Sequence, residues 1–503
     1  MKRMLPVLCA AWVGVAWAQP PAEHGGGGPL PAAPEQARVR FAAATRADLG
    51  LAYLRLERSW AKTPPKGDRV AELNRAFDQA SLSFFSGRFN NAVKTLGEMV
   101  RELEGLDPAP ALLAAESVRV VPAVAVIHPG NRSEAKVEIE PLYAIESPGG
   151  EVRLVLQRAD GTEAWSSRVE LSVAAGSNGG GVERVAVPIG CEEPGDYAVL
   201  LAGEGWAIEK SRLAIAESSV GEVGRAALAA LDQAAAGMVE RAVSTARARA
   251  RLLKDDASAT ASAQFLGGLR RLAREVESEV RENREGGNPY AGRVGDHWRV
   301  VRVNETEVPC RVYVPESRPA GPRPLLVAYH GAGGDENMFF EGYGAGSIKL
   351  LAQKEGWIVV CPLTYSGSSG RAFDRIVEDL SADYEIDLTR VYAIGHSMGA
   401  GAAAGLATSR SDRLAGVVCL AGGGGFRRSG AVAPVLVIGA ELDPLFSIAR
   451  LERAAGEAKE AGLPVEFRRL DDYGHTMMVG RALPEAFEWL GQRRAGKNDD
   501  ADR

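Results

Sequence analysis

No stretch of the chain carries a run of one charge long enough to draw in a phosphate backbone or an anionic lipid surface. Its 59 Lys and Arg stand against 65 Asp and Glu, for a formal net charge of -6, with both signs interspersed. Nucleic acid is therefore not an expected partner. Cysteine is scarce as well. Apart from Cys9 in the opening apolar stretch, the chain has only Cys191, Cys310, Cys361 and Cys419, too few for a disulfide scaffold. Cys361 and Cys419 each sit in an apolar run, where a thiol serves as a small hydrophobe, and whether any pair is bridged stays open. There is no Cys-x-x-Cys and no His-rich spacing, so no metal is expected. Long apolar runs are missing too: the first stretch has about 14 apolar residues, short of the ~20 that cross a bilayer, so no membrane span is expected.

What is present is a succession of segments with different periods. A chain of 503 residues exceeds what one core usually supports, which implies several domains. Residues 1–18 read as an export signal: Lys2 and Arg3, an apolar stretch, then Ala16-Trp17-Ala18 ahead of Gln19. A secreted or periplasmic location follows. Leu8 before Cys9 argues against a lipoprotein anchor. Residues 19–34, rich in Gly, Pro and Ala, read as a flexible spacer. Residues 35–110 have helical spacing broken at Pro64-Pro65 and predict a helical hairpin or small bundle. Within it Ala76, Phe77, Ala80, Phe84, Gly87, Phe89, Ala92 and Leu96 look like one tetratricopeptide-type helix pair. A single copy is read as a spacer before it is read as a binding surface, because such surfaces need repeats. Residues 117–217 alternate with period two between glycine turns and predict a β-sandwich. There Pro194-Gly195-Asp196-Tyr197 resembles the tyrosine corner of immunoglobulin-like domains. Residues 219–287 return to helical spacing and predict an antiparallel helical pair. Nothing in these segments identifies a protein partner.

Residues 295–492 alternate apolar strand-like runs with helical ones, as a largely parallel sheet covered on both faces requires; residues 493–503 read as a disordered tail. Strands are expected at 308–314, 325–329, 357–360, 391–394, 416–420, 435–438 and 465–467. Four signals fall where this layout would put an acyl-transfer site. Gly395-His396-Ser397-Met398-Gly399 sits between a strand and a small-residue helix, the setting of a nucleophile elbow. A serine hydroxyl needs a base, and the base an orienting carboxylate. His475, after the strand at 465–470, and Asp443, after the strand at 435–438, supply them in the chain order Ser, Asp, His. Glu441 is the rival acid, less well placed than Asp443 to reach the imidazole because it sits close to its strand end. The loop His330-Gly331-Ala332-Gly333-Gly334 ends a strand, and its Ala332 N–H with that of Met398 would form an oxyanion hole. His330 and His396 are read as structural hydrogen-bonders around the site, and His128 and His297 lack any ligand-like spacing.

On these motifs, with Asp387-Leu388-Thr389-Arg390-Val391-Tyr392 leading into the elbow, the C-terminal segment resembles the α/β-hydrolase superfamily. The likeness is nearest to the secreted polyhydroxyalkanoate-depolymerase and feruloyl-esterase-like serine esterases, and covers about 40 per cent of the chain. The resemblance implies an α/β-hydrolase fold and hydrolysis of carboxylic esters through an acyl-enzyme on Ser397, with neither metal nor organic cofactor. Ala400 departs from the further glycine frequent in such elbows. No segment between the elbow strand and Asp443 is long enough for a large helical cap, so an open site over short loops is expected. Phe339, Tyr365, Phe446 and Met477, with Met338, Phe340 and Met478, are candidates to line an apolar pocket. The expected substrate is an acylated polysaccharide or an aryl ester. Two other readings remain: a serine peptidase of the same fold, and a binding scaffold with a vestigial hydrolase domain.

Overall fold

Thr45 opens the first helix, its side chain and that of Asp48 capping each other's backbone N–H. The computed structural model describes residues 40–503 except 175–179, 234–238, 257–267, 317–320, 426–430 and 496–503. The expected export signal, the spacer and most of the expected tail thus lie outside the described residues. Helices α1 (Arg46–Lys62), α2 (Asp68–Phe85) and α3 (Phe89–Glu104) pack on a shared core of Leu56, Leu73, Phe77, Leu96 and Val100, and a short α4 (Pro110–Glu116) follows. The apolar run from Val70 to Leu103 is two helices, since Ser86 and Gly87 turn the chain between α2 and α3.

Nine strands come next, in two sheets. β1 (Val118–Pro122), β3 (Lys136–Pro141) and β7 (Val185–Pro188) form one. The other takes the order β2 (Val126–Ile127), β9 (Trp206–Ile215), β8 (Gly195–Gly203), β4 (Gly149–Gln157), β5 (Glu163–Ala174), β6 (Gly181–Val182). Alternate residues of both sheets, among them Val120 and Ile139 from the first and Leu154, Val199 and Leu213 from the second, share one buried core. The Tyr197 hydroxyl donates to the Glu193 carbonyl at 2.7 Å.

Where one antiparallel pair of helices is expected, the described residues include three helices: α5 (Val220–Gln233), α6 (Glu240–Arg251) and α7 (Leu269–Arg284). Together they bury Leu231, Val243, Ala246, Leu272 and Val276.

The C-terminal sheet has eight strands. In spatial order they are β10 (Gly295–Val303), β11 (Thr306–Val314), β13 (Ile358–Pro362), β12 (Arg323–Tyr329), β14 (Ile386–His396), β15 (Gly416–Leu420), β16 (Val435–Ala440) and β17 (Val465–Leu470). The β10–β11 and β11–β13 pairs are antiparallel and the remaining pairs parallel. α8 (Ser347–Glu355) and α13 (Met478–Gly491) bury one face of this sheet. α10 (Gly370–Ser381), α11 (Met398–Ser409) and α12 (Ile448–Glu460) bury the other; a single turn, α9 (Thr364–Gly367), lies ahead of α10. The four cysteines named above are buried free thiols. Among the described residues no helix is long and apolar enough to cross a membrane.

Candidate active site

β14 runs to His396 and α11 starts at Met398, which leaves Ser397 alone to turn the chain, at φ 56 and ψ -114. This is a conformation that side chains rarely adopt, and holding it costs about 1–3 kcal/mol, supplied by the surroundings. Two glycines make the turn possible. A Cβ on Gly395 would lie 2.0 Å from the Gly399 carbonyl oxygen, and one on Gly399 would lie 2.0 Å from that of Tyr329. Strand, turn and helix are therefore packed backbone to backbone.

The hydroxyl of Ser397 lies 2.9 Å from His475 Nε2, and His475 Nδ1 lies 2.8 Å from Asp443 Oδ2. The other carboxylate oxygen of Asp443 accepts the N–H groups of Leu445 and Phe446, at 2.8 and 2.9 Å. Glu441, the rival acid, points elsewhere: its carboxylate takes the Asp472 N–H at 3.1 Å and pairs with Arg469. The His475 ring is stacked under that of Phe446, with 5.7 Å between centroids.

The two other histidines of the region hold loops. His330 accepts the Thr364 N–H on Nε2 at 2.9 Å and donates from Nδ1 to the Gly331 carbonyl at 2.8 Å; burial lowers its pKa to about 4. The Tyr343 hydroxyl accepts from Gly331 N–H and donates to His396 Nδ1. His396 Nε2 in turn donates to the His475 carbonyl, at 2.9 Å. Burial, with His475 alongside, keeps the His396 imidazole neutral, its pKa well below the usual range. A chain of polar contacts thus ties the loop at 330–334 to the backbone of His475. Neither the Ala332 nor the Met398 N–H has an acceptor among the described residues, and Ala332 borders the cavity that Ser397 faces.

That cavity, of about 420 Å³, is bounded by more than the short loops the sequence suggests. Its far wall comes from the N-terminal helices: Tyr53 and Leu54 on α1, Phe77, Ala80 and Phe84 on α2, Ala92 and Leu96 on α3. Of the seven pocket candidates named above, Met338 and Tyr365 line it, the Tyr365 hydroxyl accepting the Gly333 N–H at 2.8 Å. The other five are corrected, Phe340 and Met478 being buried in the core beneath the sheet. Phe339 is fully buried under the sheet, edge-on to Tyr343, because the tight turn at Met338–Gly342 sends Met338 into the cavity and the next residue inward. Phe446 covers His475, and Met477 is buried in the core of α1–α3.

The N-terminal helices also hold the backbone around the imidazole, which sequence reasoning missed. Asn74 on α2 accepts the Gly474 N–H at 2.8 Å, and Asp78 on the same helix accepts the His475 N–H at 3.2 Å. A Cβ on Gly474 would stand 2.2 Å from the Asp78 carboxylate. Burial raises the Asp78 pKa to about 7. Glu57 on α1 is raised to about 7 for the same reason, while it accepts the Tyr53 hydroxyl at 2.6 Å and the Gly344 N–H at 3.1 Å. The one available signal was the tetratricopeptide-like pattern, five of whose residues (Phe77, Ala80, Phe84, Ala92, Leu96) line the cavity.

No protein-family model matches the sequence, and no curated protein does. Among solved structures, the chain is similar to the fluorophosphonate-binding serine hydrolase FphF of Staphylococcus aureus, at 15% identity and a TM-score of 0.33 over 39% of this chain and 98% of that one. It is similar to a ferulic acid esterase at 17% identity, TM-score 0.34, over 40% and 98% of the two chains. A thermophilic esterase, Est2 of Thermogutta terrifontis, has 14% identity and a TM-score of 0.33 over 42% and 99%. The C-terminal region has the mostly parallel eight-stranded sheet, and the serine turning tightly between strand and helix, that the sequence leads one to expect of an α/β-hydrolase fold.

Proposed function

We propose that the chain is a serine hydrolase acting on carboxylic esters, with Ser397 as nucleophile, His475 as general base and then acid, and Asp443 as the carboxylate that orients it. The single observation that carries this reading is the line of two hydrogen bonds, 2.9 and 2.8 Å, from a conformationally strained Ser397 through His475 to Asp443. As Ser397 Oγ attacks the ester carbonyl, its proton passes to His475 Nε2. The carbonyl oxygen becomes an oxyanion facing the free N–H groups of Ala332 and Met398, where losing one such donor costs about 2.7–4 kcal/mol of transition-state stabilisation. The tetrahedral intermediate collapses, the bond to the alcohol oxygen breaks, and the proton on His475 goes to the departing alcohol. Water repeats the sequence on the acyl-serine, giving up a proton to His475, and the acid leaves.

The apolar run at residues 1–18 supports export, and a secreted or periplasmic location belongs to the proposal. The Tyr197 bond to Glu193 supports reading β1–β9 as an immunoglobulin-like sandwich. An acylated polysaccharide or an aryl ester remains the proposed natural substrate. The test is a panel of p-nitrophenyl esters and aminoacyl-anilides, run with fluorophosphonate labelling of the parent and Ser397→Ala. Ester turnover and labelling, both lost in the variant, are expected. A folded parent that takes no label, or that cleaves anilides alone, would sink the proposal.

A further inference from the structure

The cavity beside Ser397 has two walls of different origin. One is made by loops of the C-terminal region, with Gly333, Met338 and Thr476; the other is made by α1–α3. These helices are seated on the loops. Phe84 lies so close to Gly333 that a Cβ there would come within 2.7 Å of its ring, and Tyr53 stands in the same relation to Gly342 at 2.8 Å. The core of α1–α3 takes in Met477 and Tyr473 from the His475 loop. The wall is thus fixed by packing as well as by the Asn74 and Asp78 hydrogen bonds.

Its chemistry is apolar. Leu54, Phe77, Phe84 and Leu96 face the space, while Ala80 and Ala92 are the small residues that leave it empty. Three of the polar groups at its edge already have partners: the Tyr53 hydroxyl is given to Glu57, that of Tyr365 accepts from Gly333, and Arg46 donates to the Gly333 carbonyl at 2.6 Å; the hydroxyls of Ser81 and Thr476 also border the space. A group entering here would gain little from hydrogen bonding and much from leaving water.

We propose that α1–α3 form the acyl-binding subsite of the enzyme, and that it selects esters whose acid carries a long or bulky apolar chain. This rests on the assignment of Ser397 as nucleophile. Each methylene buried in such a wall is worth about 0.8 kcal/mol, or about fourfold in kcat/KM. Imperfect burial brings the expected gain from acetate to octanoate to about one to two orders of magnitude.

The experiment uses the full chain and p-nitrophenyl acetate, butyrate, hexanoate and octanoate, so that only the acyl group varies, and it reads the octanoate-to-acetate ratio of kcat/KM. Ala80→Trp, which fills the space, is expected to lower this ratio at least tenfold; Phe84→Ala, which widens it, is expected to move the optimum to longer chains. Leu82→Ser on the outer face of α2 is expected to leave the ratio unchanged. Should Ala80→Trp fail to fold, Phe84→Ala decides. A parent that labels and turns over acetate but shows no rise with length overturns the subsite, as does a rise that neither cavity variant alters. A parent that neither labels nor cleaves any ester overturns the nucleophile assignment instead, so the two failures are distinct.

Discussion

Asp78 meets the backbone of His475 from a helix that belongs to the other end of the chain, and only one of its two oxygens has a partner. Burial raises its pKa from 3.8 to about 7, with Asp443 adding to the rise and the N–H and ring of His475 opposing it. The fold therefore favours the protonated form. Between pH 4 and 7 the unfolded chain releases this proton while the folded one keeps it, so the contribution of Asp78 to stability falls as pH rises through that window. Asp78→Asn retains an oxygen to accept the His475 N–H and removes the ionisation. Thermal melts at pH 5, 6, 7 and 8 are expected to show the variant gaining on the parent as pH rises, and a constant difference across that range would contradict this account of the carboxyl.

At the scale of elements, β10 is held to α10 by a buried charge cluster. Arg299, fully buried, pairs with Asp379 and Asp383, and Arg241 of α6 reaches Asp383 at 2.7 Å. Removing one partner of such a cluster leaves the opposite charges buried and uncompensated, which typically costs about 3–5 kcal/mol. Arg299→Leu is expected to lose that much in chemical denaturation, and a loss under about 1 kcal/mol would mean that the cluster is only loosely paired. The same residue explains why β10 is absent from the strands expected on sequence grounds. His297 and Arg299 occupy buried positions, so neither a continuous apolar run nor a clean alternation marks the strand. The strands at 325–329, 416–420 and 435–438 are uniformly buried and apolar, and they were legible. Ser397 and Asp443 could be proposed for a related reason: each follows such a run in a local turn, whereas the strand before His475, Val465–Leu470, is only partly apolar and buried, so the Gly474-His475 turn and the chain order carried that reading. The cavity wall had no comparable mark, because Ala80 and Phe84 have helical neighbours that say nothing of a loop some 250 residues later.

At the scale of the molecule, the N-terminal helices and the His475 loop behave as one packed body. If they open together, the amides of Gly474 and His475 exchange with solvent no faster than the interior of α2. Asn74→Ala removes the acceptor of the Gly474 N–H, a loss of about 1–1.5 kcal/mol. Hydrogen exchange followed by mass spectrometry is expected to show residues 473–477 exchanging about tenfold faster in the variant. Unchanged protection there would mean that the loop holds itself without α2.

Asp78 and His475 are 397 residues apart, and a ribosome makes them in that order. The greasy wall is thus finished long before the serine it faces, and the imidazole is delivered later still, among the closing residues of the last β-to-α connection. On the proposed assignment, a nascent or truncated chain that stops ahead of that connection lacks its general base and is expected to leave esters untouched, however well its earlier parts have folded, so the cell that produces it would be spared a half-built acyl-transfer centre.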